Sequence, residues 1–528
     1  MESLSREFLP TLPSMCNGCS NFCDLCSSEL PKRLVKILGE KMALRTGKDY
    51  LDSLDDGRRV WVNGEEIKDI RTHPATAGVV AEHALSFDRH HDPDWAQLLL
   101  HPDNPDQSVL FCRPTTIDLL ERQMEGARAQ AFQSAGNITH SPQYGANIIL
   151  GAYDPIVSFG SKEQADKIRK YSDVLLANQT VMSAPYVSPI GDRFLAPQER
   201  IKPHVVEERD DGIIVTGVVG LGTGLCYAET LFTAPIPGPL LPEQALWFAF
   251  PAAAPGVKIL GRQPSARTED PYLHPLSTKY DELDCTVFLD NVFIPWESVF
   301  VYRDVEFCNS YMNHHVTWLC LMHFTRMIAR TEYSLGLALA MADALDTSRN
   351  SGVLEIIIDL VIHLETMKSA MKAAISKGSL TPSGVIAPDP LSIASGTIYA
   401  LQNRAKFQDT VRTLSGFGGM LAPSLGDLKD PDIGPTLEKS YGGGRYNARQ
   451  RSALLHLMHD HAASALDARE AAFESLASAG LFTWRLRARM AFNRYEDLAN
   501  AVTKSIPAEN MPFIDMSYMT QFDPLTRG

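Results

Sequence analysis

A chain of 528 residues with 45% hydrophobic and 21% charged residues can bury a large core, and its length allows for roughly three domains. Its formal net charge of −14, with no basic run, argues against nucleic acid or another polyanion as a partner. No run of about 18 apolar residues is present, and the opening MESLSREFLPTLPS lacks the basic-then-apolar order of a secretory signal, so no membrane span is expected and the cytoplasm is the expected location.

Residues 1–41 differ from the rest and are expected to be an extension. They carry Cys16, Cys19, Cys23 and Cys26 in a C-x2-C-x3-C-x2-C pattern, four thiolates able to ring one zinc ion. Structural zinc sites usually separate their two CxxC halves by a longer loop, so no metal is expected to serve the chemistry. The other five of the nine cysteines are scattered, as suits a reducing compartment.

Residues 42–183 read as an N-terminal helical domain: TTIDLLERQMEGARAQAFQSAG and SKEQADKIRKYSDVLLAN both space apolar residues at helical intervals. Residues 184–312 read as a central antiparallel β domain. There HVVEERDDGIIVTGVVG sets an Asp-Asp-Gly turn between two β-branched runs, and CTVFLDNVFIPWESVFV reads as strands broken at Asp290-Asn291. Residues 313–528 return to helices, four of them long, which predicts a C-terminal bundle and tail. The class is therefore α+β, in the helix, sheet, helix order of the acyl-CoA dehydrogenase-like architecture.

Four stretches sharpen that likeness: RTGKDYLDSLDDGRRVWVNGEEIKDIRTHPA (45–75), GVKILGRQP (256–264), EDPYLHPLSTKYDELDCTVFLDNVFIPWESVFVYRD (269–304) and GFGGMLAPSLGDLKDPDIGPTLEKSY (416–441). Together they resemble the 4-hydroxyphenylacetate 3-hydroxylase family, the oxygenase components of two-component flavin monooxygenases. The resemblance implies a homotetramer that receives FADH2 from a separate NAD(P)H:flavin reductase. It also implies that O2 adds to the flavin as a C4a-hydroperoxide, whose distal oxygen passes to a small aromatic substrate, usually a phenol. The protein must hold reduced flavin and keep water out.

The resemblance also places residues. Ile190, Gly191, Asp192 and Arg193 of SPIGDRF fall on a flavin-binding stretch, where an Arg can bond ring oxygens or phosphate and a Gly admits close backbone approach. An ordinary surface turn is the plain alternative. Thr223 of GLGTGL falls where relatives touch the flavin ring, and Ala463, Ser464, Ala465 and Leu466 fall where they hold its diphosphate or adenosine side, with Arg469 following. In NITHSPQYGAN the family has an Arg and, four residues on, a Tyr at the substrate's phenol oxygen. Tyr144 keeps the second position, but His140 replaces the Arg, and Ala184 replaces a family His. A His with a pKa near 6.5 is charged only part of the time, so His140 is expected to serve as a base or to suit an already electron-rich substrate. Trp296, Asp281 and Glu282 are family-like but read as structural.

Two other readings compete. The related 4-hydroxybutyryl-CoA dehydratases use FAD with an iron–sulfur cluster, which needs a cysteine pair in the N-terminal helical domain; Cys112 stands alone between residues 27 and 183. A degenerate flavin-fold binding protein is the third.

Overall fold

Thr46 shows how the described chain begins. Its Oγ1 accepts the Asp49 amide at 3.2 Å, and the Asp49 carboxylate accepts the Thr46 amide at 2.9 Å. This reciprocal cap starts helix α1 (Gly47–Ser53). The computed structural model describes residues 44–519 except 188, 190, 192, 193, 197, 198, 477–479 and 513. Residues 1–41, with their four cysteines, lie outside the described residues.

Two short strands, β1 (Val60–Val62) and β2 (Glu65–Ile67), follow. Asn63 and Gly64 between them both take positive φ, 53° and 83°, the twist a two-residue hairpin needs. Strands here correct the helical expectation for this segment. Helices α2 (Ala77–Asp88), α3 (Ile117–Gln133), α4 (Tyr144–Phe159) and α5 (Lys162–Ala177) come next. α4 is buried continuously from Tyr144 to Ile156, as a helix that is apolar all round must be.

The strands that follow are β3 (Met182–Ser183), β4 (His204–Arg209), β5 (Gly212–Thr223), β6 (Thr230–Thr233), β7 (Leu246–Pro251), β8 (Val257–Gly261), β9 (Asp284–Pro295) and β10 (Val299–Tyr302). They form a six-stranded sheet, β2-β1-β8-β9-β5-β4, and a four-stranded sheet, β10-β7-β6-β3. The Asp-Asp-Gly turn joins β4 to β5 as expected, with Arg209 opposite Gly212. The expected break at Asp290-Asn291 is a bulge instead. β9 runs through it while its register against β5 shifts between Leu289 and Val292, with Asn291 at φ 52°. The sheets are not purely antiparallel: β1 pairs parallel with β8, and β3 with β6. The first sheet therefore takes two strands from the segment expected to be helical.

The bundle opens with α6 (Val305–Ala344), 40 residues long, then α7 (Ser351–Ser376) and α8 (Pro390–Leu414). α9 (Ala448–Ala462) and α10 (Ala465–Leu476) replace the single helix expected over 449–478, and α11 (Gly480–Ala491) and α12 (Tyr495–Thr503) follow. α6 packs on both α3 and α4, joining the N-terminal helices to the bundle. Among the described residues, no helix is long and apolar enough to cross a membrane.

Candidate active site

Between α3 and α4, residues 134–143 form a buried loop pinned from two sides. From the bundle, Arg326 Nη1 donates to Gly136 O at 2.5 Å, and Arg330 Nη1 to Asn137 Oδ1 at 2.5 Å. From the turn before β9, the fully buried Glu282 carboxylate accepts the Thr139 amide at 2.7 Å, the Thr139 hydroxyl at 2.5 Å and the His140 amide at 2.9 Å. Burial pushes the Glu282 carboxyl up to about 7, against the pull of the Arg469 guanidinium and these donors.

The loop presents His140. Its Nδ1 lies 3.2 Å from Thr139 Oγ1 and 4.0 Å from Glu282 Oε1. Burial, with repulsion from Arg469, lowers His140 to about 3. A shift in that direction keeps the ring neutral near pH 7, where an unperturbed histidine would be partly charged. Tyr144, the first residue of α4, meets the ring edge-on with centroids 4.1 Å apart. Burial holds the Tyr144 hydroxyl protonated well above its ordinary range, so it acts as a neutral phenol. Phe473 of α10 faces both His140 and His323, with centroids at 6.4 Å and 5.4 Å.

Thr223 ends β5 beside this loop. Its hydroxyl donates to Asp284 Oδ1 at 2.6 Å, so its oxygen is left only lone pairs to offer elsewhere. Arg469 of α10 grips the same carboxylate through Nε at 2.8 Å and Nη2 at 2.7 Å, and Arg262 Nε adds a third contact at 3.1 Å. Burial is the strongest single influence on the Asp284 carboxyl and would raise it, but the Arg469 charge, the hydrogen bonds from Arg469 and Thr223 and the Arg262 charge together hold it well below the usual carboxylate range. Gly224 completes the junction at φ 70°. A Cβ there would stand 2.9 Å from Glu282 Oε1 and 3.1 Å from His140 Cβ. Deeper in the bundle, Arg326 pairs with Glu470 and Glu474, and Arg404 with Glu474 and Asp467, which fixes the face of α10 carrying Phe473.

The structure thus brings His140, Tyr144, Thr223 and Arg469 into one connected cluster. Ile190, Asp192 and Arg193 lie outside the described residues, whereas Gly191 is exposed, with only Pro189 O, at 4.0 Å, near a Cβ added to it. Ala463 and Ala465 are exposed at the start of α10 and Ser464 is half-buried, but Leu466 is fully buried against Ala135 and Leu276. Ala184 is buried beside Ser183, whose hydroxyl bonds Thr223 O at 2.6 Å. Trp296 packs edge-on against Tyr302 and donates Nε1 to Arg209 O at 3.1 Å, a structural part. Glu282, expected from sequence to be structural, pins the loop that carries the candidate base. Thr139, Asp284 and Phe473 also join this cluster without having been singled out from sequence; for Asp284 the acidic DELD run at 281–284 was the available signal.

These surfaces suit a large planar cofactor with a diphosphate. The 12-residue α10 points an N-terminus flanked by small exposed side chains at solvent, a fitting place for phosphate. Leu221, 52% exposed at φ 47° beside Thr223, adds an apolar ledge at the end of β5. Among the described residues, no group of three His, Cys, Asp or Glu converges as an iron or zinc ion would require.

Comparison with known proteins yields one family. The model of the 4-hydroxyphenylacetate 3-hydroxylase N-terminal region matches residues 46–301, and that of the C-terminal region matches 309–503. The chain is 30% identical to the oxygenase component of 4-nitrophenol 4-monooxygenase/4-nitrocatechol 2-monooxygenase from Rhodococcus opacus, over 84% of this chain and 87% of that one. It is 28% identical to the 4-hydroxyphenylacetate 3-monooxygenase oxygenase component of Thermus thermophilus, over 81% and 91%. The crystal structure of a 4-hydroxyphenylacetate 3-monooxygenase oxygenase component complexed with FAD superposes with a TM-score of 0.81 at 26% identity, covering 87% of this chain and 98% of that one. An archaeal 4-hydroxybutyryl-CoA dehydratase superposes at 0.79 with 19% identity, which shows a shared fold.

Proposed function

Because the chain belongs to the 4-hydroxyphenylacetate 3-hydroxylase family, we propose that it hydroxylates a phenol or another electron-rich aromatic through the C4a-hydroperoxide of reduced FAD. It is a flavin-dependent monooxygenase of the acyl-CoA dehydrogenase-like fold, the oxygenase component of a two-component system served by a separate flavin reductase. FADH2, when bound, would supply the two electrons that activate O2; the chain's own residues bind, orient and move a proton.

Ala463, Ser464 and Ala465 at the start of α10, with Ile190, Gly191, Asp192 and Arg193, hold the cofactor. Leu466 supports that turn from the core. Thr223, its proton given to Asp284, accepts a hydrogen bond from the reduced ring. His140 takes the substrate's hydroxyl proton, and Tyr144 orients the substrate oxygen as a neutral donor. The observation that carries this reading is the His140 ring packed edge-on against the Tyr144 ring, centroids 4.1 Å apart, with Nδ1 on Thr139 and Nε2 unbonded among the described residues. Losing the family cation at 140 changes the task from binding a phenolate to making one. Leu354, Ile358 and Ile362, each about half exposed at four-residue spacing along α7, support burial against further copies in a homotetramer.

The test is turnover with FADH2, O2 and a panel of phenols. Wild type is expected to give hydroxylated product. His140→Ala is expected to lower product formation by about a hundredfold while O2 uptake continues as hydrogen peroxide. Normal hydroxylation by His140→Ala would remove the histidine from the reaction.

A further inference from the structure

A neutral imidazole that resists protonation is a weak proton acceptor on its own. If His140 had to hold the substrate's proton as an imidazolium, it would do so in a buried site already facing the Arg469 guanidinium. Yet the groups behind it are in line. Glu282 Oε2, Thr139 Oγ1 and His140 Nδ1 follow one another at 2.5 Å and 3.2 Å, and all three residues are buried. Nε2, at the far side of the ring, has no hydrogen-bond partner among the described residues, and 9% of the residue stays exposed.

We infer that Glu282, Thr139 and His140 form a proton relay that moves the substrate's hydroxyl proton from His140 Nε2 to the Glu282 carboxylate. The inference rests on the reading that His140 faces the substrate. At the start, Glu282 is ionised, Thr139 donates its hydroxyl hydrogen to Oε2, and His140 donates Nδ1–H to Thr139 Oγ1. Nε2 then carries a bare lone pair. The substrate O–H bond breaks and an Nε2–H bond forms; the Nδ1 hydrogen passes to Oγ1, and the Oγ1 hydrogen passes to Oε2. The phenol has lost one proton, Glu282 has gained one, and His140 is neutral before and after, with its tautomer reversed. No electron changes hands. The proton returns by the opposite shifts once product has left and Nε2 meets water.

The relay makes the effective base the carboxylate rather than the imidazole, which suits a group whose burial places its proton affinity near neutrality. The groups facing Glu282 are Arg469, with Nη2 at 3.9 Å, Thr139, His140, Tyr144 and Tyr227. Those facing His140 are Arg469, Asp284, His323, His83, Tyr144 and Phe473. The starting state needs Glu282 ionised, so proton acceptance rises with pH through about 7. Glu282 also bonds the loop backbone, so Thr139 is the cleaner probe: it is a positioning residue whose hydroxyl can be removed at nearly constant shape.

The experiment uses full-length protein without flavin and the probe 3-nitrophenol, whose phenolate absorbs in the visible and which is largely un-ionised in neutral water. Wild type is expected to bind it as phenolate, the band growing with pH through about 7. Thr139→Ser is expected to keep the band. Thr139→Val is expected to lose it by roughly tenfold or more, and to lose about a hundredfold in kcat with FADH2 and O2. Glu282→Gln gives the same loss, and it replaces Thr139→Val if circular dichroism shows that variant unfolded. A full band in Thr139→Val overturns the relay, and if wild type still hydroxylates phenols the assignment of His140 survives. A wild-type protein that binds no phenol overturns both.

Discussion

Replacing Asp284 with Asn removes the charge on which three elements converge. The carboxylate accepts Thr223 Oγ1 at 2.6 Å, Arg469 at 2.7 and 2.8 Å and Arg262 at 3.1 Å. Asn keeps one oxygen but turns an NH2 group toward arginine donors. Breaking a buried ion pair from one side costs about 3–5 kcal/mol, because the partner charge stays buried. Arg469 retains Glu470, and Glu282 lies 3.9 Å away, so the lower end, about 3 kcal/mol, is expected. At about 2.1 cal/mol/K of unfolding entropy per residue, a chain of 528 residues shifts by about 1 °C per kcal/mol, so thermal unfolding should fall by roughly 3 °C. The sign with pH follows from the depressed carboxyl. Its contribution is fully present above the ordinary carboxylate pKa, about 4, and is lost as pH falls below that. The gap between wild type and variant should hold from pH 8 to about 5 and then close. Differential scanning calorimetry across that range is the assay. A variant melting within a degree of wild type at pH 7, or a gap that widens in acid, would refute the junction argued here.

Three further outcomes are expected. Gly224→Ala forces a Cβ into the left-handed region at a cost of about 1–2 kcal/mol; since that Cβ stands 2.9 Å from Glu282 Oε1, hydroxylation should fall more than O2 uptake, read as the ratio of product to hydrogen peroxide. Arg193→Ala should weaken FADH2 binding by about 1–3 kcal/mol in anaerobic titration, as loss of one charge-assisted bond does; unchanged affinity would take Arg193 out of the site. Deleting residues 1–41 should leave turnover intact, because the family match begins at residue 46; stoichiometric zinc whose removal abolishes activity would show the extension to be integral.

Much of the fold was legible because local signals agreed with it. The Asp-Asp-Gly turn made the hairpin foreseen, and helical spacing announced the long bundle helices. Misreadings arose where a partner far along the chain decides. Val60–Val62 is a strand because Val257–Gly261 pairs with it, although the Asn63-Gly64 turn was there to read. Asp290-Asn291 resembles a break, and only the register against β5 makes it a bulge. The site divides in the same way. His140 and Tyr144 lie on one local stretch, so a family pattern singles out both together. Glu282 stands 143 positions from Thr139, and nothing in the local pattern of either announces that carboxylate and hydroxyl meet. The neutrality of His140 was equally hidden, since burial and the approach of Arg469 belong to the folded chain alone.

The central claim is that this chain passes one atom of dioxygen to an aromatic substrate on reduced FAD. The most direct measurement mixes protein preloaded anaerobically with FADH2 and a phenol with 18O2, then weighs the product by mass spectrometry. Wild type is expected to give hydroxylated product carrying one 18O atom, and His140→Ala hydrogen peroxide in its place. Product whose new oxygen comes from water, or failure of the wild-type protein to hold FADH2, would contradict it.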